Sequence, residues 1–93
     1  MMPGMVELEW SITGEQGRRR VACVDTAASA VLGVFGSIIG AYPMEALAEV
    51  MTNVGAPTWR AIVTDGRDAL SRCGEWHYTS GAVRVRMRTV PTA

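Results

Sequence analysis

Val6, Leu8, Trp10 and Ile12 alternate with Glu7, Glu9, Ser11 and Thr13, the period-two pattern of a strand with one buried face and one wet face. Gly14-Glu15-Gln16-Gly17 supplies turn chemistry, with glycine at both ends where a positive φ is expected. Arg18 to Asp25 makes the return strand, so a first hairpin is expected over 6–25. At the other end of the chain Trp76 and Tyr78 alternate around His77. Ser80 and Gly81 turn the chain, and Val83, Val85 and Met87 then alternate with Arg84, Arg86 and Arg88 up to Pro91. The wet side of this last strand carries arginine and that of the first carries glutamate, so pairing the two puts opposite charges across the ladder. That pairing is the preferred topology, with the register left open.

Between the hairpins the period changes. Thr26 to Met44 is a run of nineteen residues without a charge, and Asp25 or Thr26 can cap a helix at its start. Val31, Phe35, Ile38 and Tyr42 form one stripe, widened by Leu32 and Ile39, while Ala30, Gly33, Ser37, Gly40 and Ala41 take the opposite side. A helix that is apolar or small all round is expected to be covered on more than one side. Pro43 redirects the chain. Met44, Leu47, Met51 and Val54 then mark a second helix that Gly55 is suited to end, with Ala56-Pro57 as the joint. Thr58 caps a third, in which Trp59, Ile62, Val63, Leu70 and Cys73 recur at helical spacing up to Gly74. Asp65-Gly66 also permits a hairpin turn after a strand at 61–64; helix is preferred there. The predicted fold is a single two-layer α+β domain over 1–93. Its order is β-β-α-α-α-β-β, with a small antiparallel sheet from two terminal β-hairpins packed against a central helical segment.

Composition supports a foldable chain. It is 48% hydrophobic and 19% charged, enough apolar surface for a core and unlike a disordered polymer. Nine basic residues balance nine acidic ones, so no global field draws the protein to nucleic acid or anionic lipid, and any basic site must be local. All nine basic residues are arginine. That bias is expected of coding DNA rich in G and C, which suggests a bacterial, phage or mobile-element accessory protein. Cys23 and Cys73 stand fifty positions apart, matching neither a zinc spacing nor a secreted disulfide framework, and are expected to be buried free thiols. The segment Met1 to Glu9 lacks the basic and apolar regions of a signal peptide, so a cytoplasmic location is expected.

Candidate chemistry is sparse. Arg84, Arg86 and Arg88, joined by Arg18, Arg19 and Arg20, form a candidate basic surface, with Trp76 or Tyr78 as a possible stacking platform for bases. A charge row on a strand is more often its solvated face, and the two aromatics suit the core. Leu32 to Ile39 resembles in outline the Gly-x-x-Gly loop of KH domains, which grip single-stranded nucleic acid. Those domains carry polar or basic residues between the glycines, however, where this chain has Val34 and Phe35, and the order of elements differs. Gly33, Gly36 and Gly40 also have the small-residue spacing that lets helices approach closely, and they are the candidate self-association face. The same run is just long enough for a bilayer, but three Gly, two Ser and a Pro make it weakly apolar.

Cys73 and His77 bring a thiol and an imidazole close in sequence, without spacing that enforces contact. With Cys23 and Asp25 they would make a metal set of no recognised spacing. Glu45 with Glu49, and Asp65 with Asp68, suit solvated helix faces. No enzyme activity, cofactor, metal, membrane association or small-molecule substrate is expected. The functional expectation is a non-enzymatic module that binds a protein partner or a second copy of itself as a homodimer. A nucleic-acid-binding regulator using the arginine face is the alternative.

Overall fold

A computed structural model describes residues 5–39 and 48–91. Strands β1 (Met5–Ile12), β2 (Glu15–Val21), β3 (Glu75–Ser80) and β4 (Val83–Val90) form one antiparallel sheet in the order β2-β1-β4-β3. Helices α1 (Val24–Ile39), α2 (Ala56–Ala61) and α3 (Arg67–Cys73) lie between the hairpins, so the domain is α+β with the order β-β-α-α-α-β-β. The first and last hairpins meet through β1 and β4, which puts the glutamate strand beside the arginine strand.

Each hairpin closes on two residues. Thr13 and Gly14 both have positive φ, 47° and 90°, the backbone of a type I′ turn whose twist matches the strands it joins. The turn is therefore shorter than the expected Gly14 to Gly17, and Gly17 belongs to β2. The second turn opens on Gly81 at φ 58°, and Thr13 N donates to Ala82 O at 3.1 Å, tying the two turns together.

The inward face of the sheet carries Val6, Leu8, Ile12, Val21, Val83, Val85 and Met87, all buried. Against them α1 turns Val24, Ala27, Ala28, Val31 and Phe35. Its other side is exposed at Ser29, Gly33, Gly36 and Ser37. Among the described residues the helix is thus covered along one side, not all round as its composition suggests. Cys23 O accepts from Ala27 N at 3.1 Å, so the helix starts before Asp25 and Thr26, the expected caps.

The largest departure lies at Ala56-Pro57. The backbone stays helical from 48 to 73, passing through π turns at Met51–Gly55 and Ile62–Gly66. Ala56 N–H closes the first on Met51 O and Arg67 N–H bonds Ile62 O in the second. A proline inside a helix lacks a donor and crowds the carbonyl four residues back. The wider π turn just before Pro57 moves that carbonyl, so the helix bends its hydrogen bonding instead of ending. Residue 66 is helical too, at φ −64° and ψ −45°, which settles 61–64 as helix. Gly66 is where this helix meets the sheet: a Cβ there would stand 2.6 Å from Met87 Cε and 3.2 Å from Trp76 Cε3. The helix ends at Gly74, left-handed at φ 80°, whose N–H bonds Ala69 O and Leu70 O.

Candidate functional site

The outward face of the sheet is polar, and the register orders it into rows. Arg20, Glu7, Arg88 and Glu75 form one row across all four strands; Arg18, Glu9, Arg86 and His77 form the next; Gln16, Ser11, Arg84 and Thr79 the third. Five of the six arginines of the candidate basic surface share this face. Arg19 pairs with Leu8 and so projects from the other side of the sheet.

The first row is neutralised internally. Glu7 Oε1 accepts from Arg88 Nη2 at 3.0 Å, and Glu7 Oε2 lies 3.7 Å from Arg20 Nε. Glu7 is only 9% exposed although it stands on the wet face, flanked by register partners Arg20 and Arg88 whose guanidiniums reach its carboxylate. In the second row Arg18 Nη2 reaches Glu9 Oε1 at 3.3 Å, and His77 Nε2 lies 3.4 Å from Glu75 Oε1. Among the described residues neither Arg84 nor Arg86 has an ion-pair partner. They rise from a shallow trough of about 660 Å³ whose walls include Ser11, Gln16, Thr79 and His77. Trp76 and Tyr78 stack on each other at 5.7 Å between ring centroids and pair with Met87 and Val85 on the helix side. The arginine face therefore has no aromatic platform from these two residues.

The second surface is the outer side of α1. Among the described residues a Cβ added at Gly33 or Gly36 would meet nothing within 4 Å, and both residues are exposed. Gly40, the third member of the expected face, lies outside the described residues. Gly33 and Gly36 sit in mid-helix, which removes the likeness to a phosphate-gripping loop. On the same helical layer Trp59 is 40% exposed, although its spacing had suggested an inward position.

The cysteines differ from expectation: both are exposed. Cys23 stands at the start of α1 with Sγ 3.3 Å from Thr26 Oγ1. The Thr26 hydroxyl, then the Thr26 and Asp25 backbone N–H groups, hold the thiol below its ordinary range. Cys73 ends α3, and His77 Nε2 faces Glu75, so no hydrogen bond among the described residues joins this thiol to this imidazole. Asp68 pairs with Arg72 at 2.7 Å, and Asp25 with Arg67 across the helical layer. Asp65 and Glu49 are exposed, and Glu45 lies outside the described residues. Among the described residues no group of three His, Cys, Asp or Glu is arranged to hold a metal ion, and no helix is long and apolar enough to cross a membrane. No family model, curated protein or solved structure matches this chain.

Proposed function

We propose that this chain is a small, non-enzymatic protein-interaction module that self-associates through the outer face of α1. The observation that carries the reading is the chemistry of that face. From Thr26 to Ser37 it has no charged side chain, and it exposes Ser29, Gly33 and Gly36. A solvated helix face ordinarily carries charge. Each exposed helical glycine also costs about 1 kcal/mol relative to alanine. Two such residues are a burden on a monomer, but they let a second helix approach closely. Exposed Trp59 adds an aromatic of the kind that anchors protein contacts. Free, exposed thiols suit a reducing compartment, and a cytoplasmic accessory role, bacterial or phage, is the corresponding proposal.

Light scattering tests the reading. A dimer is expected at high micromolar concentration, and Gly36→Glu is expected to give a monomer that melts no earlier than the parent. A parent chain that stays monomeric at that concentration overturns it. A second reading, a nucleic-acid-binding regulator, is favoured by Arg84 and Arg86, which have no ion-pair partner among the described residues. It expects DNA or RNA binding that weakens steeply with salt and disappears in Arg84→Glu with Arg86→Glu.

A further inference from the structure

We propose that the open sheet face docks a short, extended acidic segment of a partner protein, with Arg84 and Arg86 each taking one carboxylate. This rests on the reading of the chain as a protein-binding module and names the chemistry of a second contact, separate from α1. Arg84 and Arg86 stand two apart on β4 and project from the same face. Side chains two apart on an extended chain repeat at about 6.5–7 Å. A partner segment with acids at alternate positions has the same repeat, so two carboxylates can meet two guanidiniums without strain in either chain.

The flanking residues decide which anion fits. Arg84 lies between Ser11 and Thr79, and neither neighbour is charged. Its fork of donors is free for a bidentate carboxylate, while the two hydroxyls offer hydrogen bonds to a peptide main chain. Arg86 lies between Glu9 and His77, and Glu9 is engaged by Arg18. Glu7, Glu9 and Glu75 share the face, so a long polyanion crossing the sheet would run past three carboxylates. A short acidic segment seated on Arg84 and Arg86 avoids most of them. Nucleic acid would also want aromatic stacking, and Trp76 and Tyr78 lie on the opposite side.

The test is fluorescence anisotropy with a labelled peptide of alternating Glu and Ser, alongside its Lys-Ser counterpart and an oligothymidylate of equal charge. Saturable binding of the Glu-Ser peptide alone is expected. It should weaken about tenfold or more in Arg84→Gln with Arg86→Gln, the loss of two charge-assisted contacts, and stay unchanged in Arg19→Gln on the other side of the sheet. Circular dichroism of each variant checks the fold, and a double variant that unfolds is replaced by Arg84→Lys with Arg86→Lys, which keeps charge and loses the fork. No saturable peptide binding, indifference to these substitutions, or tighter binding of the oligothymidylate overturns the proposal. Light scattering on the same samples separates the two ideas. A dimer that ignores the peptide removes only the acidic site, and a monomer that binds it removes only the α1 contact.

Discussion

The indole of Trp10 on β1 lies across Gly17 on β2: a Cβ added at Gly17 would stand 2.6 Å from Trp10 Cε2, inside the ring's contact distance. The two residues are register partners, and the missing side chain is the space the ring occupies.

Gly17→Ala is therefore expected to push the indole off the sheet. The strain and lost packing outweigh the backbone entropy that alanine saves, for a net loss of about 1–3 kcal/mol. Urea unfolding should show an earlier midpoint at unchanged slope. In a Trp10→Ala background the same substitution should be neutral or stabilising, and an undiminished loss there would show that the ring is not the cause.

Glu7 joins Arg20 and Arg88, and removing its charge leaves two guanidiniums facing each other across β1. Glu7→Gln is expected to cost about 1–2 kcal/mol, modest because both arginines remain half-exposed and screened. Added salt should narrow the gap between variant and parent in urea unfolding. A gap that does not respond to salt would mean that the glutamate acts through packing.

Thr58 is fully buried, and among the described residues its Oγ1 has no hydrogen-bond partner. Valine has the same shape without the hydroxyl. Thr58→Val is expected to stabilise the fold by about 1 kcal/mol, the desolvation cost of an unpaired polar group. A lower melting temperature in the variant would assign the hydroxyl a partner, such as a carbonyl freed by the neighbouring π turn.

Cys23 has its thiol lowered from the ordinary value of 9.0, first by the Thr26 hydroxyl. A depressed acid favours its charged form in the folded state. The associated linkage is thus present above pH 9.0 and lost as pH falls through the lowered native value. Between those two values the native thiol holds more thiolate than the unfolded one. In a Cys73→Ser chain, iodoacetamide should modify Cys23 faster when native than in urea near neutral pH, and Thr26→Ala should shrink the difference. Equal rates in both states would count against the helix-start environment as the cause.

Much of the fold was legible because burial on one face of a strand leaves a two-residue period in the sequence. That period located β1 and β4, and the opposite charges on their wet faces anticipated their pairing. The candidate site was less legible. The six arginines are visible as residues, but which of them are neutralised depends on neighbours from other strands. Glu7 silences Arg20 and Arg88 while Arg84 and Arg86 have no ion-pair partner among the described residues, and Arg19 leaves the face altogether.

The sequence by itself determined the two hairpins, the helical middle and the uncharged run, since these follow from local period, turn chemistry and composition. Only the tertiary structure decided that Gly17 makes room for an indole, that Pro57 sits within a continuous helical path, that Gly33 and Gly36 face outward, and that both thiols are exposed. Those outcomes are set by what stands opposite each residue in space. Spacing along one chain carries the direction in which a side chain points, and contact also needs the register and the distance of its neighbours.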